Sequence, residues 1–421
     1  MAIKYVGHPF VDVGVSVMEI ILGKQCEDFT EDDIKKANDE LIKRYDKPIL
    51  KSYLSTIFPN SCWANYNIGK EKKEANIQKL LYPNEILKEK CFYCENKANT
   101  FANRQDIPLL SGEGVINVIS SGKGLPVCRY CLSSIQFFPL ATMNISGKAL
   151  LWHTNNRKLD FMFAKNYFNQ LDKIIYGSPN EKIKSFSHIY TRLIDSFINA
   201  FDEVYKFQNK KNINYPLTDC IAYHFTNRGQ NPKYNEYIIP YSFIIFIEKI
   251  KLNSNLEQIY NKMIHSKWDL KKDKDAQNIR NSFYDSLARY FQDEESKNEL
   301  ILHFKNFDNK ELNSFDLTKL FIVEIFNINE NRLKKVKEIA DTIVKYASEE
   351  LINNFINIRC DYKGFFKYIR ELSKELEMKK INTIALDDLC YILNLLNSDS
   401  NINSDYWIIR CLIEIRILET R

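Results

Sequence analysis

The sequence predicts an α+β protein, in which an N-terminal mixed α/β region with an inserted four-cysteine subdomain is followed by an all-α C-terminal helical bundle. Three observations carry this prediction. All 11 prolines and 11 of the 12 glycines lie within the first 240 of the 421 residues, and two closely spaced cysteine pairs lie in the first third. Beyond Pro240, apolar residues recur with a helical period. We therefore expect two domains, residues 1–240 with the insert at about 61–165 and residues 241–421.

The N-terminal segment Ile3–Leu22 is expected to form strands and turns. It is rich in valine, isoleucine and aromatic residues, which favour strands, and Gly7, Pro9 and Gly14 interrupt it. The sequence Gly-His-Pro-Phe-Val-Asp-Val-Gly in this segment is then an N-terminal strand and turn, with no direct role for its histidine.

Helices are expected next. Thr30 with Asp33 three residues later resembles a capping box, apolar residues follow on one face, and Pro48 ends the pattern. From Asn166 to Pro240, amphipathic stretches such as His188–Phe201 predict further helices separated by short loops.

Residues beyond Pro240 are expected to form six or seven helices. Between Leu333 and Phe355, apolar residues trace one continuous stripe with charged residues opposite. Internal boundaries are expected at a capping box formed by Ser296 and Glu299. Further boundaries are expected at clusters of Asn, Asp and Ser near residues 308–314, 327–331, 357–361 and 397–405.

Two CxxC pairs carry the strongest chemical signal in the sequence. Cys91 and Cys94 form the first pair, Cys128 and Cys131 form the second, and 33 residues separate the pairs. A two-residue spacer lets both thiolates of a pair point to one side of a tight turn. Two such knuckles supply four sulfur ligands to a Zn²⁺ ion, and the ion is then structural because no position remains for an activated water.

Two alternatives to the zinc site remain at this point. A redox pair should begin a helix after a strand in a βαβ unit, which the flanking glycines and prolines do not favour; the other alternative is two unrelated CxxC motifs. Six further cysteines are scattered singly and are assigned no function: Cys26, Cys62, Cys220, Cys360, Cys390 and Cys411.

The sequence has no recognisable catalytic motif. The glycine-rich segments 111–114 and 120–124 fail both the phosphate-loop and the GxGxxG patterns, because residue 117 is asparagine and Lys123 is followed by glycine. The six histidines form neither an HExxH nor an HxH motif, and no GxSxG motif is present.

Positive charge is concentrated near the cysteine pairs. The whole chain carries a net charge of +5, which by itself is too small to indicate nucleic-acid binding. Residues 61–165 contain 14 basic and 8 acidic residues, so a contact with a polyanion is expected there. The alternative is a lysine-rich composition of the kind that AT-rich coding gives without functional pressure.

The sequence predicts a cytoplasmic protein that does not enter a membrane. Its N-terminus lacks the basic, apolar and small-residue regions of a secretory signal. The longest apolar stretch, Ile238–Ile247, is interrupted by Pro240 and Ser242 and is far shorter than the roughly 20 residues of a membrane span. Cytoplasmic cysteines stay reduced, which favours metal binding over disulfides.

These features together resemble one protein family. The segment Gly7–Gly14, the two CxxC pairs and the helical C-terminal part are similar to the CXXC-CXXC (Cst) family of CRISPR-associated proteins, regarded as the large subunit of type I-B Cascade. The resemblance implies a subunit that is not an enzyme, lies at the 5′-handle end of the crRNA beside the backbone subunits, and reads the protospacer-adjacent motif in double-stranded DNA. It also implies that the subunit helps to open the duplex, recruits the helicase-nuclease, and has a C-terminal part similar to the small subunit.

Motif reading needs a few polar or basic side chains on a rigid platform, and the locally basic segment with the expected zinc site would be such a platform. The candidates are side chains that can contact phosphates or base edges: Asn103, Arg104, Gln105, Lys123, Arg129, Asn144, Lys148, Arg157 and Lys158, with a second group of Arg228, Gln230 and Asn231. Met263 is the internal methionine from which separate small subunits could be translated.

Two other kinds of function stay open on the sequence alone. One is a zinc-ribbon nuclease or nucleic-acid-modifying enzyme with dispersed catalytic carboxylates. The other is a stand-alone zinc-containing regulator that binds DNA.

Overall fold

The structure, a computed structural model, describes residues 3–65, 67–110, 124–177, 183, 185–211, 218–228, 232–270, 279–293, 297–357, 362–393 and 402–420. The chain forms two compact units. Unit 1 comprises Met1–Pro240 with Asp273–Ile279, and unit 2 comprises Tyr241–Lys272 with Arg280–Arg421. The expected mixed α/β architecture with a four-cysteine cluster and a helical C-terminal region is confirmed.

Unit 1 mixes helices with two antiparallel sheets. In chain order its elements are α1 (Pro9–Leu22), α2 (Glu31–Tyr45), α3 (Pro48–Ile57), α4 (Lys70–Leu81), β1 (Thr100–Ala102), β2 (Leu125–Val127), α5 (Arg129–Phe137), β3 (Met143–Ile145), β4 (Lys148–Thr154), α6 (Arg157–Tyr176), α7 (Ile189–Lys211), β5 (Cys220–Thr226) and β6 (Lys233–Ile239), with short 3-10 helices at Cys26–Asp28 and Phe138–Ala141.

Helix α1 contradicts the prediction of strands and turns at the N-terminus. Pro9 occupies the first turn, where its missing N–H costs nothing, and the His8 side chain caps the helix by accepting a hydrogen bond from the Phe10 N–H. Every residue from Phe10 to Glu19 is buried, so packing on all sides outweighs the strand preference of the β-branched residues. Gly23, in the left-handed conformation, ends the helix.

The capping box before α2 is confirmed. The Thr30 hydroxyl accepts a hydrogen bond from the Asp33 N–H, and the Asp33 carboxylate accepts one from the Thr30 N–H. Pro48 follows the end of α2 and opens α3, since proline is preorganised for the first turn of a helix.

The main sheet of unit 1 has four antiparallel strands in the order β3-β4-β5-β6. Strands β5 and β6 lie in the region where only helices and loops were expected, so that prediction was wrong. The first four residues of β6, Lys233 to Glu236, are all exposed, so neither face of this part of the edge strand is covered. This exposure hides the alternation of apolar and polar residues that a half-buried strand normally shows. Strands β1 and β2 form a separate pair.

Unit 2 is helical throughout the part that the structure describes. Its elements are α8 (Tyr241–Lys251), α9 (Ser254–Ser266), α10 (Ser282–Asp293), α11 (Lys297–Leu302), α12 (Phe315–Phe326), α13 (Glu330–Tyr346), α14 (Glu349–Asn357), α15 (Tyr362–Met378), α16 (Leu386–Ile392) and α17 (Ile402–Thr420), with a 3-10 helix at Lys310–Leu312.

The predicted number of helices in unit 2 was too small. Ten α-helices are described, because short helices such as α11 and α16 lack a full amphipathic pattern. The stripe from Leu333 to Phe355 is also not continuous: Ala347 adopts an extended conformation and separates α13 from α14. Two of the expected boundaries are observed. Ser314 caps the start of α12 and Asn327 ends it, and Asn329 caps the start of α13.

Three other expected boundaries are only partly observable. Ser296, residues 358–361 and residues 397–401 lie outside the described residues. In the described part of the chain, no helix is both long enough and apolar enough to cross a membrane.

Candidate metal centre and nucleic-acid interface

The four cysteines of the two CxxC pairs meet in unit 1. The sulfur atoms of Cys91, Cys94, Cys128 and Cys131 all lie within 4.8 Å of one another, and three of the four residues are buried. The Cys94 and Cys128 sulfurs are 3.5 Å apart, much farther than the roughly 2.05 Å of a disulfide bond. The cluster is therefore a set of four free thiols, as the spacing of the sequence predicts.

Local backbone structure holds each pair. In the first knuckle, the Glu95 N–H donates to the Cys91 carbonyl over 3.0 Å, and Glu95 adopts a positive φ that closes the turn. In the second knuckle, Cys128 caps helix α5, and its sulfur accepts a hydrogen bond from the Cys131 N–H over 3.4 Å. Each two-residue spacer thus turns both sulfurs of its pair toward the same point.

The β1–β2 ladder fixes the two knuckles against each other. Phe92 N–H donates to the Pro126 carbonyl, and Asn99 N–H donates to the Val127 carbonyl, both over 2.9 Å. The Asn99 side-chain oxygen in turn accepts from the Arg129 N–H over 2.9 Å at the start of α5. The two chain segments that carry the cysteines therefore form one hydrogen-bonded unit.

Close packing changes the acidity of the thiols. Hydrogen bonds from the Cys128 thiol, and then from Cys131, lower the pKa of Cys94 to about 7. The pKa of Cys131 is raised, first by its hydrogen bond with Cys128. Thiols at these distances cannot all ionise together unless a cation compensates the negative charge.

The cluster fits a tetrahedral metal ion. Zn–S bonds of about 2.3 Å at tetrahedral angles separate neighbouring sulfurs by about 3.8 Å. This is compatible with the 3.5 Å between the Cys94 and Cys128 sulfurs and with the upper bound of 4.8 Å for all pairs. Asn96 Nδ2 also donates to the Cys94 sulfur over 3.3 Å, as is common in the hydrogen-bonded shell around metal-bound thiolates. The donor set is the one that structural zinc sites use.

A polar cleft of about 260 Å³ adjoins the second knuckle. Two of the predicted nucleic-acid contacts, Asn103 and Gln105, are exposed and lie in its wall. The full lining is Asn60, Ser61, Cys62, Asn76, Lys79, Leu80, Thr100, Asn103, Gln105, Asp106 and Leu132. Asn76 and Lys79, from α4, were not predicted, because only the packing of α4 beside α5 brings them to the cleft.

The turn that carries Asn103 and Gln105 follows directly after β1. Asn103 Oδ1 accepts a hydrogen bond from the Gln105 N–H over 2.7 Å, and Asp106 accepts one from the Asn103 N–H over 2.9 Å. Burial raises the pKa of Asp106. The two hydrogen bonds define the shape of the turn, which residues 95–99 and β1 connect to the four-cysteine cluster.

Arg104 joins the two groups of predicted contacts. Its guanidinium donates to the Asn227 side-chain oxygen over 3.0 Å and to the Asn227 carbonyl over 2.6 Å. Asn227 precedes the exposed Arg228 of the second group. Residues more than 120 positions apart in the chain are thereby neighbours, which local sequence patterns cannot show.

Arg129 and Arg157 have structural partners within unit 1. Arg129 pairs with Glu31 and donates to the Tyr130 hydroxyl. Arg157 pairs with Glu19 and Glu27 and lies over the ring of Tyr5, 4.5 Å from its centre. Both guanidinium groups therefore stabilise contacts between the N-terminal helices and the rest of unit 1.

The remaining candidates lie apart from the cleft. Asn144, on β3, and Lys148, at the start of β4, are partly exposed, and burial followed by the charge of Lys233 lowers the pKa of Lys148. Lys158 is exposed on the first turn of α6. Lys123, Gln230 and Asn231 lie outside the described residues.

Sequence patterns missed a buried polar cluster beneath α1. His153 Nε2 lies 3.3 Å from Asp12 Oδ2 and 3.5 Å from Asp160 Oδ2, and all three side chains are at most 7% exposed. Asp12 also accepts hydrogen bonds from the N–H groups of Val6 and Gly7. The cluster ties the N-terminal segment to β4 and α6, and its burial keeps it from contacting a substrate. The one sequence signal was an aspartate within an otherwise apolar run.

This cluster predicts an unusual dependence of stability on pH. Burial raises the pKa of Asp160 from its ordinary value of 3.8 to about 7. Between those values the folded protein keeps a proton that the unfolded chain releases, so the free energy of unfolding falls as the pH rises. Burial alone would lower the pKa of His153, but Asp12 and Asp160 raise it overall. This raised pKa also makes the free energy of unfolding fall as the pH rises.

Chemical denaturation at about pH 5 and about pH 7.5 measures this effect. We expect Asp160→Asn to lose less unfolding free energy between these pH values than the wild type does. The control is Asp39→Asn, at an exposed position on α2, and it should keep the wild-type difference. Equal pH dependence in Asp160→Asn and the wild type would contradict the proton assignment.

Comparisons with known proteins give no relative for this chain. No protein-family model matches it, and no curated protein or solved structure is significantly similar to it.

Proposed function

We propose that this chain is the non-catalytic large subunit of a type I-B CRISPR surveillance complex and that it reads the protospacer-adjacent motif in double-stranded DNA. The identity of the complex rests on the resemblance carried by the segment Gly7–Gly14 and the two CxxC pairs. The observation that supports motif reading is the polar cleft beside the β1–β2 pair and the four-cysteine cluster. Its wall presents the amide groups of Asn76, Asn103 and Gln105 and the ammonium group of Lys79. Amide and ammonium groups are the side-chain groups that read base edges in a DNA groove.

A metal ion held by the four cysteines would give this cleft the rigidity that base reading needs. Asn103 is only one residue beyond β1, whose partner β2 ends at Val127, beside the metal ligand Cys128. A bound structural Zn²⁺ would cross-link both strands, and Leu132, next to Cys131, lies in the cleft wall. In an RNA-guided complex, base pairing supplies most of the sequence specificity, so a short motif read by a few fixed side chains is sufficient.

The proposed partners follow from this role. They are the crRNA at its 5′-handle end, the target double-stranded DNA, the backbone and handle-binding subunits of Cascade, and the helicase-nuclease that is recruited on target binding. The complex would act in the cytoplasm, where thiols stay reduced and available to zinc.

Unit 2 would correspond to the small-subunit part of the complex. Met263 is buried near the end of α9. A separate subunit translated from Met263 would lack α8 and most of α9, including Phe246, whose ring lies 5.3 Å from that of Phe321. Such a subunit would therefore need another apolar surface to cover Phe321.

The cleft is tested by replacing its two exposed amides in the assembled complex. We expect Asn103→Ala combined with Gln105→Ala to reduce discrimination between motif variants by roughly tenfold or more, because each good contact to a base edge contributes about 1–3 kcal/mol. The measurement is binding of the complex to duplexes that differ only in the flanking bases.

The matched control is Asn354→Ala, which removes an exposed amide from α14 in unit 2. It should leave motif discrimination unchanged. If the double variant discriminates between motifs as well as this control does, the cleft does not read the motif.

A further inference from the structure

Unit 1 has a second cavity, with a volume of about 250 Å³, whose lining residues differ from those of the polar cleft. It is formed where the start of α1, the first knuckle, the segment before residue 111 and the β5–β6 pair meet. Its wall is mainly aromatic and aliphatic, and includes His8, Phe92, Tyr93, Leu109, Tyr223 and Tyr234. Nothing in the proposed motif reading uses this cavity.

The aromatic walls are fixed in place. Phe92 and Tyr93 are the two residues between the metal ligands Cys91 and Cys94, and their rings meet edge to face at 5.3 Å. Tyr223 and Tyr234 stack across the β5–β6 pair with ring centres 6.1 Å apart. The cavity is therefore bordered by the first CxxC turn on one side and by the β5–β6 pair on the other.

Two of these rings are open to solvent. Phe92 is 52% exposed and Tyr234 is 39% exposed, although both belong to a cavity wall. Large exposed aromatic side chains that border a cavity commonly mark a binding site. The volume is below the roughly 300–1,000 Å³ of pockets for drug-sized ligands, so it suits one planar ring system.

Positive charge adjoins the cavity at Leu109. The Leu109 N–H donates to the Asn227 side-chain oxygen over 3.4 Å, and the same oxygen accepts from Arg104 Nε over 3.0 Å. The next residue after Asn227 is the exposed Arg228. The Arg104 guanidinium thus lies one hydrogen-bonded residue away from the cavity wall, and Arg228 adds a second, exposed basic residue next in the chain. Guanidinium groups of this kind are suited to contact a phosphate backbone.

We propose that this cavity binds one unpaired base of a single-stranded nucleic acid, which stacks on the exposed aromatic rings while Arg228 contacts the adjoining phosphates. Stacking on aromatic side chains beside a basic surface is how proteins hold single strands without reading their sequence. The inference rests on the proposed function in so far as the chain contacts nucleic acid, but it uses residues outside the polar cleft.

The test measures binding of the purified full chain to a fluorescent single strand of about 12 nucleotides, in DNA and RNA forms. We expect Phe92→Ala combined with Tyr234→Ala to weaken binding roughly tenfold or more, since stacking contributes about 1–3 kcal/mol per base. A second ligand is a strand of the same length that lacks bases. The wild type should bind this baseless strand weakly, with an affinity similar to that of the double variant for the intact strand. The DNA and RNA arms identify which strand the cavity prefers.

The matched control is Phe307→Ala, which removes a 61%-exposed phenylalanine from unit 2 and should leave binding unchanged. Unchanged metal content and melting temperature in the double variant would show that its fold is intact. If the fold is lost, the single variant Tyr234→Ala, whose change lies away from the knuckle, replaces it. This single variant is also expected to bind the single strand more weakly than the wild type. Equal wild-type binding to strands with and without bases, or no binding at all, would overturn the proposal.

The two proposals fail separately. Suppose that the double variant binds single strands normally, while the complex still needs this chain for its motif preference. These two results together would overturn only the base-binding cavity. A complex whose motif preference is the same with and without the chain overturns the proposed function, whatever the cavity binds.

Discussion

Replacing Cys128 with serine is expected to abolish stoichiometric zinc binding and to unfold the segment that the two knuckles hold together. Four thiol sulfurs within 4.8 Å form a closed ligand set, and structural zinc sites contribute on the order of 10 kcal/mol to the folding of the segments that they join. Three remaining thiols would hold the ion much more weakly. Metal content by mass spectrometry and protection of residues 85–131 from proteolysis measure the two effects.

The choice of serine separates the metal from the helix cap. The Cys128 sulfur caps α5 by accepting from the Cys131 N–H, and a serine hydroxyl is among the best N-caps. Loss of zinc in Cys128→Ser therefore reports the missing ligand and not a lost cap. Chelation of zinc from the wild-type chain should cause the same sensitivity to proteolysis. This second experiment tests the metal site even if the Cys128→Ser variant does not fold.

The control for the metal site is Cys390→Ser. Cys390 is a partly exposed cysteine of α16 in unit 2, and its replacement should leave the zinc content unchanged. If Cys128→Ser retains as much zinc as Cys390→Ser, the four-cysteine site is not a zinc site.

Replacing Gly14 with alanine is expected to destabilise unit 1, although the same change inside an ordinary helix stabilises it by about 1 kcal/mol. An added Cβ atom at Gly14 would lie 1.9 Å from the Ser134 carbonyl oxygen and 2.6 Å from its carbonyl carbon. The obstacle is the backbone of α5, which cannot rotate away as a side chain can. We expect a loss of at least about 1–3 kcal/mol, the usual cost of overpacking a core.

Gly69→Ala is the matched control for Gly14→Ala. Gly69 precedes α4 at a negative φ, and nothing lies within 4 Å of the position that its Cβ would take. Its replacement should change the free energy of unfolding by no more than about 1 kcal/mol. Denaturant titration of both variants measures the difference, and a Gly14→Ala variant as stable as Gly69→Ala would mean that α1 and α5 are not in close contact.

The sequence was sufficient to predict the features that depend on local spacing. The two CxxC pairs predict the cluster because two residues fix the geometry of each turn, and the Thr30–Asp33 capping box predicts the start of α2 for the same reason. Local preference failed for α1, where burial on every side outweighs the strand preference of its valines.

The features that depend on distant contacts could not be predicted. Asp12 and His153 are 141 residues apart in the chain, and the cavity near Phe92 needs the β5–β6 pair that sequence patterns read as helix and loop. Asn103 and Gln105 were singled out by residue type, but their place in a common cleft with Lys79 follows from the packing of α4.

The most direct test of the proposed function is to assemble the crRNA-guided complex with and without this chain and to measure its binding to duplexes with randomised flanking bases. If this chain reads the motif, the complete complex should prefer a short flanking motif, and the complex without the chain should lose that preference while its guide still pairs with a complementary single strand. An unchanged motif preference in the absence of the chain would contradict the account.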